Sequence, residues 1–168
     1  MERKKILIVE DEQIIAEDIR QTLEANQFAV PFIAVSGAEA LQQIAEHRPD
    51  LVIMDIILQE NMDGLETAAL IEKDYRNPVI FLTALSLNQL SGRLEIDQPF
   101  RYILKPFKER ELLAAIRTAF YLDNLEKSNS ELEFRFHLLT DKIEEGVLIL
   151  DSSGYVRFVN QAVIDILG

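Results

Sequence analysis

The chain of 168 residues contains no cysteine and no tryptophan. Disulfides, thiolate zinc sites and cysteine nucleophiles are therefore excluded. With only 6 glycines and 5 prolines it has neither the composition of a disordered chain nor that of an extended one. Long apolar runs are also missing. The N-terminus, MERKKILIVEDE, starts basic, but its apolar run Ile6–Val9 is stopped at once by Glu10, Asp11 and Glu12. That run is too short for a signal peptide or a membrane span, so the expectation is a soluble, cytoplasmic protein. Positive charge is scarce: 17 Lys and Arg face 29 Asp and Glu, for a formal charge of −12. A broad nucleic-acid surface or an anionic membrane would need clustered cations, so neither is an expected partner.

What is present is a globular composition, 48% apolar. The length suits one domain, or a domain of roughly 120 residues with an appendage. Compact apolar runs recur at Ile6–Val9, Phe28–Ala34, Leu51–Met54, Val79–Leu82 and Tyr102–Leu104. Amphipathic stretches separate them at Glu12–Asn26, Ala38–Glu46, Leu65–Arg76 and, less regularly, Leu87–Glu95. Strands alternating with helices predict an α/β fold with a parallel sheet covered on both faces, because parallel neighbours need crossover connections.

From Glu109 the residues read as one long helix. Its later half carries a heptad, with Leu122, Asn129, Phe136 and Ile143 at one seam position and Leu125, Leu132 and Leu139 at the other. This spacing suits a coiled coil and hence a homodimer; a single amphipathic helix folded on a domain would show a similar stripe. Gly146–Gly168 then gives two short strands around Asp-Ser-Ser-Gly, a hairpin signal, followed by the start of a helix. A hairpin and one helix turn bury little by themselves, which predicts the opening of a second domain.

In an alternating sheet the functional side chains collect at the carboxyl ends of the strands, where strand order reverses. Here those ends carry Glu10, Asp11 and Glu12, then Asp55, then Thr83, then Lys105 before Pro106. Taken singly, the acids could cap a helix, the threonine could be an ordinary strand residue and Lys-Pro a surface turn. Together they suggest a site. Carboxylates at close range repel and are reconciled by a hard divalent cation such as Mg²⁺, while Lys105 offers a point charge for an oxyanion.

ILIVEDE on the first strand, LVIMD on the third with MDG after it, FLTA on the fourth and YILKPF on the fifth resemble the response-regulator receiver domain of two-component signalling. The likeness covers about Lys4 to Tyr121. It implies a flavodoxin-like, doubly wound sheet of five parallel strands in the order 2-1-3-4-5, extended by the long helix and the short hairpin. By resemblance, Asp55 is the phosphoacceptor. Glu10, Asp11, Asp55 and the main-chain carbonyl of Ile57 hold Mg²⁺, Thr83 is the switch hydroxyl, Lys105 pairs with the phosphoryl group and Tyr102 is the switching aromatic. It also implies a cis Lys105–Pro106 bond, and a sensor histidine kinase or phosphotransfer protein as the phosphohistidine donor. Such a protein is a signalling receiver that catalyses its own phosphorylation and dephosphorylation, not an enzyme acting on a separate substrate.

The C-terminal EEGVLILDSSGYVRFVNQAVIDILG resembles the opening of a PAS domain, including Asn160. The expected organisation is a receiver at 1–121, a coiled-coil linker at 122–143 and a PAS-like fragment at 144–168. Two features depart from the common receiver pattern. Position 59 is Gln where proline is usual, and the glycine after the phosphoacceptor, Gly64, comes one residue late. Ile57 and Leu85, which flank the path of a hydrolytic water in the family, are both apolar and predict slow self-dephosphorylation. Ile57 also argues against a phosphohydrolase, which usually has an acid there, and the intact acidic pair and lysine argue against a non-phosphorylated docking module. His47 and His137 are read as surface or flanking residues.

Overall fold

The computed structural model describes residues 3–58, 63–84, 101–140, 142, 145 and 147–167. The chain divides into two compact units, Met1–Leu122 and Asp123–Gly168. The first contains β1 (Ile6–Val9), α1 (Gln13–Ala25), β2 (Ile33–Ala34), α2 (Gly37–His47), β3 (Leu51–Asp55), α3 (Gly64–Tyr75), β4 (Val79–Thr83), β5 (Tyr102–Leu104) and the start of α4 (Glu109–Thr140). The strands form one parallel sheet in the order β2-β1-β3-β4-β5. This is the doubly wound, flavodoxin-like arrangement expected. The helix expected at Leu87–Glu95 lies outside the described residues.

The strands need no polar alternation because both faces are covered. Leu7, Val9, Val52, Met54, Val79 and Phe81 pack on one face against Ala40 and Ile44 of α2 and Ala68 and Ile71 of α3. Their neighbours Ile6, Ile8, Leu51, Ile53, Ile80 and Leu82 pack on the other against Ile19 and Leu23 of α1 and Leu112 and Ile116 of α4. Each such side chain contributes roughly 1.5–3 kcal/mol on burial, so the sheet interior dominates the stability of this unit. β2 is shorter than the apolar run Phe28–Ala34 suggests. Ala29 pairs with Lys5 in an isolated bridge, and the ladder resumes only at Ile33. Pro31 lies between and has no amide proton to give, so pairing cannot run through it.

Local chemistry fixes the helix starts. Ser36 accepts the Glu39 amide at 3.3 Å while the Glu39 carboxylate accepts the Val35 amide at 2.8 Å, a reciprocal cap on α2. Asp63 accepts the Glu66 amide at 2.9 Å at the start of α3. Glu12, before α1, makes no side-chain cap hydrogen bond. Helix capping thus does not account for Glu12.

In the second unit the later part of α4 is joined by an antiparallel hairpin of β6 (Leu148–Leu150) and β7 (Val156–Val159), then α5 (Gln161–Leu167). At the tip, Gly154 has φ +85°, and Asp151 Oδ1 accepts the amides of Ser153 and Tyr155 at 2.9 and 3.0 Å. Asn160 is 1% exposed. Its Oδ1 accepts the amides of Val147 (2.8 Å) and Val163 (3.3 Å), and its Nδ2 donates to the carbonyls of Thr140 (2.9 Å) and Glu145 (3.0 Å). The full capacity of the amide is used to tie the end of α4, the hairpin and α5 together. The Phe158 ring rests 4.9 Å from those of Phe136 and His137. Among the described residues no helix is long and apolar enough to cross a membrane.

Candidate functional site

β1 and β3 are neighbours in register, Val9 opposite Met54, so Glu10 and Asp55 emerge side by side at the carboxyl edge where the crossovers diverge. Asp55 is the last residue of β3, not a charge stranded within it. Its apolar neighbours belong to the core, with Ile53 and Met54 fully buried before it and Ile56 1% exposed after it. Asp55 itself keeps 5% exposure and Glu10 none. Carboxylate oxygens of Glu10, Asp11 and Asp55 all lie within 4.8 Å of one another.

Lys105 follows β5 and reaches back across two strands. Its Nζ lies 2.7 Å from Glu10 Oε2 and 2.6 Å from Asp55 Oδ2. Its amide donates to the Thr83 carbonyl at 2.8 Å, which ties it to the end of β4; the Lys105–Pro106 bond is cis, as the resemblance implied. The other Asp55 oxygen, Oδ1, accepts the Ile57 amide at 2.9 Å. Glu10 Oε1 accepts the Glu12 amide at 3.2 Å. Both buried carboxylates thus have each oxygen engaged, as burial of charge demands.

The electrostatics follow from this packing. Burial pushes the Glu10 carboxyl up, from 4.5 to about 6, with the Asp55 charge adding to the rise and the Lys105 hydrogen bond opposing it. For Lys105, burial works to lower the pKa, but the hydrogen bonds to Asp55 and Glu10 outweigh it and hold the ammonium above its ordinary value. One ammonium cannot neutralise three acids. The remaining negative charge and the all-oxygen donor set fit a hard divalent cation, for which Mg²⁺ is the natural match.

Thr83 closes β4 with no exposed surface, opposite Leu104 in the ladder. Tyr102 lies further from the carboxyl edge, half-buried and stacked on Phe81 at 5.2 Å. The structure therefore brings Glu10, Asp11, Asp55 and Lys105 into one cluster, with Thr83 attached through the main chain and Tyr102 on the adjoining strand. Two contributors were not legible as partners in the sequence. The Ile57 amide is one. The other is Gly64, whose amide donates to the Ile56 carbonyl at 3.0 Å. A Cβ on Gly64 would lie 2.0 Å from the Asp55 carbonyl oxygen. The MDG motif marked a turn; the close approach that requires glycine is visible only in three dimensions. Gln59 and Leu85 lie outside the described residues.

A doubly wound sheet with an acidic trio, a lysine and a buried threonine at successive strand ends is the arrangement of a receiver-type signalling domain. The chain belongs to the response-regulator receiver family, whose pattern, described as "Response regulator receiver domain", matches residues 6–117. Among its relatives, the transcriptional regulatory protein PdtaR of Mycobacterium tuberculosis is 29% identical over 154 residues, covering 92% of this chain and 73% of that protein. Of solved structures, the response regulator PhyR from Brucella abortus is 30% identical with a TM-score of 0.70, over 79% of this chain and 54% of that one. The receiver domain of a modulated diguanylate cyclase from Desulfovibrio desulfuricans G20 is 32% identical with a TM-score of 0.68, over 74% of this chain and 99% of that one.

Proposed function

We propose that this protein takes a phosphoryl group from a phosphohistidine of a sensor kinase or phosphotransfer protein onto Asp55, in a Mg²⁺-dependent reaction within the cytoplasm. The observation that carries the reading is the contact of Lys105 Nζ with both Glu10 and Asp55. A cation held this close to the Asp55 carboxylate supports the reading, because it would lie beside an oxygen of a phosphoryl group carried there. Glu10, Asp11, Asp55 and the Ile57 carbonyl would hold Mg²⁺, which supplies charge neutralisation for the transferring group. Asp55 forms the new O–P bond as the P–N bond of the phosphohistidine breaks, and the imidazole nitrogen keeps the electron pair. The Ile57 amide orients the Asp55 carboxylate during attack, and Lys105 balances charge gathering on the phosphoryl oxygens. Thr83 is then drawn to the phosphoryl group and Tyr102 packs inward, in a two-state switch.

The proposed organisation is a receiver at 1–121, a coiled-coil linker at 122–143 and a PAS-like fragment at 144–168. Phosphorylation would change the pairing of α4 with a second copy and so reach the hairpin. The exposed seam residues Leu125, Leu132 and Leu139 and the Asn160 tie between helix end and hairpin support this route. Direct nucleic-acid binding has no part in it.

The test is intact-mass measurement after incubation with a small acyl phosphate and Mg²⁺. The unmodified chain is expected to gain one phosphoryl group, and Asp55→Ala none. An unmodified chain that gains nothing would overturn the reading.

A further inference from the structure

We infer that the Glu72–Arg101 ion pair positions Tyr102: it ties α3 to the start of β5, holds the ring on Phe81 and biases the switch toward its unphosphorylated state. This rests on the reading of Tyr102 as the switching aromatic and goes beyond it, because it names what opposes the switch. Arg101 Nη1 donates to Glu72 Oε1, and the two residues are 29 positions apart in sequence. Pairs such as Lys127–Asp123 and Arg135–Glu131 lie within one helix and join no second element. The Glu72–Arg101 pair joins two elements at the residue immediately before Tyr102.

The place of the pair gives the bias its direction. α3 starts at Gly64, close against the Asp55 carbonyl oxygen, and ends at Tyr75, so Glu72 lies in its last turn, away from the acidic edge. Tyr102 opens β5 opposite Phe81, whereas Thr83 pairs with Leu104 two residues further on. The Tyr102 ring is stacked on Phe81, with centroids 5.2 Å apart and an interplanar angle of 11°. Burial raises the phenol above its ordinary pKa; the Arg101 charge opposes the rise and the Glu72 charge adds to it, so both act on the hydroxyl. Turning the ring toward Thr83 gives up the stack and moves the phenol away from these charges, while the backbone just before it stays tied to α3. An interaction made in only one of two states shifts their balance by its own strength. The Arg101 and Glu72 side chains keep 26% and 42% exposure, so solvent screens the pair and the shift is modest, roughly 2- to 5-fold.

The test uses the full chain with Arg101→Met, which keeps the stem and removes the charge, with Glu72→Gln, and with the exchange of Glu72→Arg and Arg101→Glu together. Proton NMR without any phosphoryl donor reads the contacts between the Tyr102 and Phe81 rings. They are expected to weaken in each single variant and to recover at least in part in the exchange. Undiminished contacts in both single variants, or no recovery in the exchange, overturn the positioning. With a small acyl phosphate and Mg²⁺, the rate of adduct formation by intact mass is expected to rise roughly 2- to 5-fold in Arg101→Met. In a Tyr102→Ala background the same substitution is expected to leave the rate unchanged, which a merely structural pair would not predict. A rise that persists in that background, or no rise in the first place, overturns the bias. A parent chain that gains no phosphoryl group overturns the Asp55 reading instead, and the ring contacts measured without donor still decide whether the pair positions Tyr102.

Discussion

Lys105 Nζ sits 2.6 Å from Asp55 Oδ2 and, with its side chain only 14% exposed, is the counter-charge of a site enclosed by the sheet edge. Replacing it by methionine keeps the length and removes the charge. Lys105→Met is expected to take up phosphoryl groups from acyl phosphate roughly 100-fold more slowly, the usual loss when one fixed electrostatic stabiliser is removed. The rate of adduct formation by intact mass measures this. An unchanged rate would mean that the ammonium is only structural.

Glu10 gives stability a pH dependence of defined sign. Its carboxyl is raised from 4.5 to about 6, mainly by burial, so between these values the folded chain binds more protons at this residue than the unfolded chain does. The contribution of Glu10 therefore favours folding fully below pH 4.5 and is lost as pH rises through about 6. Screening at the cleft reduces it to on the order of 1 kcal/mol. In chelator, Glu10→Gln is expected to flatten this part of the profile and to be the more stable protein above pH 6, as read from denaturant midpoints. A wild-type slope retained in Glu10→Gln would assign the titration elsewhere.

Gly64 borders Asp55 so closely that an added methyl must displace backbone, with the Asp55 carbonyl oxygen at 2.0 Å and the Ile56 Cα at 2.9 Å. Gly64→Ala is expected to cost roughly 1–3 kcal/mol, the range for forced overpacking. Phosphoryl uptake should fall as well, because the strand end that carries the acceptor must shift. Thermal denaturation beside the adduct assay checks both, and wild-type behaviour in both would show that the loop yields freely.

Ile57 offers its amide to Asp55 but presents an apolar side chain that is 52% exposed at the site. It cannot orient a hydrolytic water by hydrogen bonding. The phosphoryl group is expected to persist well beyond seconds, and Ile57→Glu to shorten its lifetime by roughly 10- to 100-fold. Decay of the adduct mass after removal of donor is the measurement. A lifetime of seconds in the parent would sink this expectation.

Much of the fold was legible in the sequence, because strands buried on both faces must be continuously apolar and crossover helices must carry a stripe. Ile6–Val9 and Leu51–Asp55 are read correctly for that reason. β2 was over-read, since hydrophobicity does not register that Pro31 lacks the amide a ladder needs. The clustering of Glu10, Asp11, Asp55 and Lys105 could be anticipated only through strand order. No local pattern tells which strands are adjacent.

Residue type and spacing along the chain suffice for the elements, the acidic edge and the heptad. Tertiary structure alone decided that Lys105 bridges Glu10 and Asp55, that Gly64 must lack a side chain beside the Asp55 carbonyl, and that Asn160 joins helix end to hairpin. These are contacts between residues distant in sequence or set by close backbone approach. Their distances are fixed by packing, which spacing along the chain does not encode.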